Sequence, residues 1–392
     1  MKAYKNNIWK MYLFGFLTDI FFISGVLVPF YTMWGKISFT QIMILQSFFV
    51  FCIFALEVPT GVVADKWGRK ISLALGASAI VVATLVYSSY PGFYVFMLGE
   101  FLFAVGRALI SGAEEAVVYD SLKHLKEEST SKKIFARMES ISKIGLLISA
   151  PIGSYIGVAL GLQYTMMFMS VPYFFAFITA IMLKEPEIQE QKESKRYLKT
   201  LVDGLKHFKE HKVLKLLAFD SISVSVLVFF LIWLYQPLLQ SIGVPIIYFG
   251  FVHAGICAIQ ILFMNSFDKL EKVFHSKKNY LVMSAVIAGL GFALLSIVTN
   301  VALVIIILII IAGFGFTRDV LFKSYFNKYI ESHQRATVIS TISMIRRFAS
   351  GIIYPLLGLM VAVSLSYSFF ILGVIIITLA LVSRVEEGHL ID

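Results

Sequence analysis

Apolar residues fill long unbroken runs along this chain, and most polar and charged residues collect in the short stretches between them. A helix needs about 20 apolar residues to cross a bilayer core. Runs of that length lie at roughly 11 to 33, 40 to 63, 71 to 90, 93 to 117, 138 to 160 and 164 to 183. Six more lie at roughly 215 to 240, 246 to 267, 280 to 299, 301 to 326, 337 to 362 and 365 to 383. The pattern predicts an all-α membrane protein of twelve transmembrane helices with both termini on one side. The first run is too long for the apolar region of a signal peptide and has no small-residue cleavage site after Trp34, so it is read as a retained helix.

Charge assigns the sides. The connections near residues 65, 123 to 137, 184 to 215, 268 to 278 and 327 to 336 are basic, whereas those near 91, 162, 243, 300 and 364 carry no Lys or Arg. Basic loops stay in the cytoplasm, which places both termini there and the protein in the cytoplasmic membrane. Of 34 Lys and Arg residues only Lys36 falls outside, so the net charge of +10 follows from topology and needs no nucleic-acid partner. Between 184 and 214 the chain turns polar, with Tyr197, Leu198, Leu201, Leu205 and Phe208 at helical spacing among lysines. The expectation there is an amphipathic surface helix linking a six-helix bundle at 1–183 to a second at 215–392. With 58% hydrophobic and 15% charged residues and a mean hydropathy of +0.83, the bulk of the chain must face lipid. Cys52 and Cys257, the only cysteines, lie in apolar runs and read as structural thiols; no disulfide, metal or cofactor site is expected.

The halves repeat. Pro151 and Pro355 stand 204 residues apart, and the same offset sets Lys143 opposite Arg347 and Glu114-Glu115 opposite Arg318-Asp319. Charges within the runs also have a period: spans three, six, nine and twelve carry none, while spans one, four, seven and ten carry Asp19; Glu100, Arg107, Glu114 and Glu115; Asp220; and Arg318, Asp319 and Lys323. A charge at mid-bilayer costs about 2.5–3.5 kcal/mol on insertion scales, so each is a functional candidate. Glu100, Arg107 and Glu114 are seven apart and form one helical stripe that should face water or a partner. Glu114 could also pair with Arg318, and Glu100 with Arg107. Arg346 and Arg347 lie deep in the eleventh span, and His253 and Gln260 share a face of the eighth. These residues, with Glu57, are the candidates for lining a substrate cavity.

Gly61-x-x-x-Asp65-Lys66-x-Gly68-Arg69-Lys70 resembles the signature loop between the second and third helices of the major facilitator superfamily. The resemblance implies two six-helix pseudo-symmetric bundles, a cavity lined by helices one, four, seven and ten, and a gating role for Gly61, Asp65, Gly68 and Arg69. Asp65 is expected to cluster with Arg69 and with Asp120 or the eleventh helix. On the fifth span, Gly145, Pro151, Gly153 and Gly157 resemble the glycine-proline motif of drug-proton antiporters, with Ala150 and Ser154 where that motif has glycines. A second antiporter motif has an arginine where this chain has Glu100, so its coupling role does not carry over. The segments Glu57-Val-Pro-Thr-Gly61 and Gly112-Ala-Glu-Glu-Ala resemble a bacterial branch of the superfamily.

No phosphate-binding loop is present, which argues against an ATP-driven pump, and no enzyme activity is expected. The leading expectation is a monomeric secondary transporter that exports small amphipathic compounds in exchange for protons. Glu114, Glu115 or Asp19 would carry the proton, because two adjacent carboxylates in a low-dielectric site cannot both ionise cheaply. Glu115 is rotated about 100° from the stripe, which ranks Glu114 first. The alternatives are a proton-coupled importer of an organic anion or nutrient, favoured by Arg318, Arg346 and Arg347, and a lipid flippase or non-transporting receptor.

Overall fold

The computed structural model describes residues 2–185, 208, 211–326, 328–330 and 335–390, and no strand occurs among them. Among the described residues, twelve helical segments are long and apolar enough to span a membrane. In chain order these spans are Tyr4–Trp34, Phe39–Glu57, Arg69–Ser89, Phe93–Leu125, Lys133–Ala159, Leu162–Ile181, Lys212–Ser241, Ile246–Met264, Lys277–Leu295, Val301–Phe326, Val338–Val363 and Leu365–Val382. Most of the expected linker, with Tyr197, Leu201 and Leu205, lies outside the described residues. The chain forms two compact units. One gathers the first six spans and the segment Ile246–Ala254; the other gathers the seventh span and the chain from Gly255 onward.

Local signals set the span ends. Ser38 accepts the Gln41 N–H while the Gln41 side chain accepts the Ser38 N–H, a capping box that starts the second span. Asn300 and Ser364 cap the tenth and twelfth spans through the N–H groups of Leu303 and Tyr367. The signature segment differs from expectation. The second helix continues through Pro59 to Trp67 and the third starts at Arg69, so Asp65 lies on a helical last turn and the connection is the single residue Gly68. Gly68 has φ +96°, a conformation open to glycine, and a Cβ there would stand 2.8 Å from the Glu185 carboxyl carbon. A Cβ at Gly61, by contrast, meets no neighbouring atom within 4 Å.

In the first unit the first span is broken. Its regular helix ends at Thr18, Asp19 to Phe21 are irregular, and tight and wide turns carry the chain on to Trp34. The freed backbone must find partners, and the fifth span supplies them: Ser149 Oγ accepts the Phe21 N–H at 2.9 Å. A Cβ on Gly145 would lie 2.9 Å from the Phe16 carbonyl oxygen, and one on Gly153 would lie 1.7 Å from that of Phe22. Ser154 Oγ donates to the Gly25 carbonyl at 3.3 Å and accepts the Gly250 N–H at 2.8 Å. Small residues of the fifth span thus serve close packing on a discontinuous helix. Similar contacts join Gly76 to Gly106 in this unit and Gly289 to Gly373 in the other, each Cβ position falling within 3 Å of the facing glycine's carbonyl oxygen.

Candidate functional site

The first unit holds two polar groupings on the fourth span. Glu100 is 4% exposed in a box of Phe30, Tyr31, Tyr87 and Phe96 rings. Its Oε1 accepts from Gln46 Nε2 at 2.7 Å and from Tyr31 Oη at 3.1 Å. The expected Glu100–Arg107 pair and open cavity position are therefore corrected: the irregular end of the first span folds its aromatic rings over the carboxylate. Two and four turns further along, Arg107 and Glu114 form the second grouping. Glu114 interacts electrostatically with Arg107, with Asp19 at the first-span break, with Glu115 and with Glu139. A Cβ on Gly15 would meet Ser142 Oγ at 3.1 Å and Glu114 Oε1 at 3.6 Å, which places that carboxylate beside the first and fifth spans. Glu115 is exposed, one residue round the helix. Tyr173 adds a phenol, which donates to the Thr18 carbonyl at 2.8 Å.

In the second unit, Arg318 is 2% exposed; its Nη2 donates to Asp220 Oδ1 at 2.8 Å and its Nη1 to Ser284 Oγ at 2.7 Å and to the Leu281 carbonyl. Arg318 and Asp220 were expected to line a cavity, and both border a small one, but Arg318 was also expected as a partner for Glu114. Instead Arg318 and Asp220 pair with each other, because the seventh and tenth spans pack side by side and a buried guanidinium requires an anion. Asp319, next in sequence, points to another partner set: it accepts from Ser225 Oγ at 2.5 Å and from Ser221 Oγ at 3.5 Å, and it pairs with Arg346. Those two charges remain 28% and 32% exposed on a small cavity with Lys323 and Ser343. Arg347, one residue on, is exposed. Gln260 donates to the Ile256 carbonyl of its own helix at 3.1 Å, and His253 is buried in the segment that joins the first unit. Glu57 is half-buried on the second helix.

At the end carrying the basic connections, Arg69 pairs with Asp120. Glu185, which follows the sixth span, accepts the N–H groups of Arg69 and Lys70 at 2.7 and 2.9 Å. Glu387, after the twelfth, likewise accepts those of Lys277 and Lys278 at 3.0 and 2.8 Å, so each unit ties its sixth helix to the start of its third.

The sequence model of the Major Facilitator Superfamily matches residues 12–353. The chain belongs to the major facilitator superfamily. It is a multi-pass membrane transporter with the twelve-helix fold expected from its sequence. No curated protein sequence matches it significantly. Among solved structures, it resembles the nucleoside transporter NupG with a TM-score of 0.78 and 16% identity, over 96% of this chain and 98% of that one. A POT family transporter bound to a thioalcohol-conjugated peptide gives 0.75 and 14% over 96% and 95%. A D-xylose-proton symporter gives 0.72 and 16% over 98% and 99%. At such identities the likeness speaks for the fold.

Reading the sequence missed Tyr31, Gln46, Tyr87 and Tyr173, which complete the carboxylate environments of this transporter. They are neutral residues in apolar runs, and the charge-based search had no signal for them. Trp233 was missed as well: it is 5% exposed and its indole N–H has no partner among the described residues.

Proposed function

We propose that this transporter is a proton-coupled importer of a small organic anion or polar nutrient, working as a monomer by alternating access in the cytoplasmic membrane with both termini inside. The Arg346–Asp319 pair carries the reading. A partly exposed guanidinium held by a carboxylate beside a small cavity can exchange that carboxylate for a substrate carboxylate or phosphate. An uncharged amphipathic compound offers no anion to take the place of Asp319 on Arg346. In the first unit, Glu114 with Asp19 and Arg107 is the group we assign to the coupling proton, with Glu115 as its exposed neighbour. Symport is in keeping with the D-xylose-proton symporter, and polar solutes are in keeping with the nucleoside transporter among the structural neighbours.

Proton-driven export of amphipathic compounds has one support, the Gly145–Gly157 run of the fifth span. Packing against the first-span break already accounts for Gly145 and Gly153, which removes most of that support. Proteoliposomes separate the readings once thermal-shift screening has found a stabilising solute. An importer accumulates that solute when the outside is acidified, and an uncoupler abolishes the effect. Accumulation only under the reversed gradient would replace import with export, and solute movement indifferent to pH would remove proton coupling.

A further inference from the structure

A groove of about 370 Å³ runs between the seventh and twelfth spans of the second unit. Lys212 and Lys215 open the seventh span and Arg384 follows the end of the twelfth, so three cations ring one mouth. None of the three forms an ion pair with another described residue. Deeper in, the wall is apolar, with Phe219 and Val224 on one side and Leu379 and Val382 on the other. From Lys212 to Val224 the helix rises about 18 Å, comparable with the roughly 15 Å of hydrocarbon in one leaflet. Phe219 and Val382 are each 68% exposed, which leaves the rim open to the surroundings. Among the described residues Asp220 is the only carboxylate on the lining, and Arg318 already binds it at 2.8 Å, so no unpaired acid among them opposes an anion in the groove.

We propose that this groove binds one anionic phospholipid, with its phosphate at Lys212, Lys215 and Arg384 and an acyl chain against Phe219 and Leu379. Basic pockets between transmembrane helices recognise anionic head groups. The apolar depth selects a lipid over a free phosphate, and the three cations select an anionic lipid over a neutral one. This assignment is independent of what the protein transports.

The test is native mass spectrometry of the full chain in detergent, titrated with phosphatidylglycerol and separately with phosphatidylcholine. Three proteins are compared: the natural chain, the site variant K212Q/K215Q/R384Q, and the control K269Q/K272Q/K328Q, which removes the same charge from exposed positions elsewhere. Thermal melting verifies that each is folded. The natural and control proteins should retain one phosphatidylglycerol that inorganic phosphate does not displace, and the site variant should bind it about a hundredfold more weakly. Equal loss in both variants would reduce the effect to surface charge and overturn the proposal. So would equal retention of phosphatidylcholine, or displacement by inorganic phosphate. If the site variant does not fold, the single substitution K215Q takes its place, with about a fivefold loss of phosphatidylglycerol expected and no change overturning the assignment.

Discussion

A buried charge is tolerated only with its partners in place, and Arg318 shows how closely that binds a residue to its neighbours. Its guanidinium is held by Asp220, Ser284 and the Leu281 carbonyl in a site 2% exposed. Removing one member of such a pair strands the other, at a cost of about 3–5 kcal/mol, whereas replacing both by apolar residues is often neutral. Asp220→Asn should therefore lower the melting temperature sharply, and Asp220→Leu with Arg318→Met should recover most of the loss. Additive losses in the double variant would mean the two residues do not act as a pair. The sequence identified both residues and the helices that carry them. It did not identify their pairing, because the charge period tells which spans are polar while the partner depends on which spans pack together and how each is rotated.

At the scale of the helix, the informative features are the ends and the break. The apolar runs announced all twelve spans, but hydropathy is blind to the irregular turns after Thr18, since Asp19 is followed by Ile20, Phe21, Phe22 and Ile23 and the run stays apolar on average. The glycines of the fifth span were visible in sequence and their structural reason was not, because it lies in the backbone they touch. The same holds for Glu185 and Glu387, which looked like ordinary polar residues beyond the sixth and twelfth spans. Both place a carboxylate on the free N–H groups at a helix start, where charge and dipole favour it. Glu185→Ala should cost about 0.5–2 kcal/mol, the range for a lost N-terminal cap. Glu387→Ala should cost less, because Glu387 is exposed and water can replace it. Melting curves of the two variants would decide; an unchanged curve for Glu185→Ala would show that water serves the helix end as well as the carboxylate does.

For the proposed proton-coupled transport, the first unit offers one grouping suited to the coupling. Glu100 is closed in by aromatic rings and held by Gln46 and Tyr31. Asp120 is tied to Arg69 at the basic end. Glu114 differs from both: it sits beside the broken first span, near the acid Asp19 and the base Arg107, without a fixed ion pair among the described residues. A carboxylate between a competing acid and a nearby cation can change protonation as either neighbour moves, which a coupling group must do in every cycle. Glu114→Gln fixes the neutral form with little change of shape. The variant should fold, bind solute in a thermal-shift assay and exchange it across the membrane at equal concentrations, yet fail to accumulate it under an inward proton gradient. Glu115→Gln, on the exposed neighbouring position, should keep accumulation. If Glu114→Gln still accumulates solute with its full pH dependence, the proton travels elsewhere. Asp19 then becomes the group to test, because it stands at the same break and interacts electrostatically with Glu114.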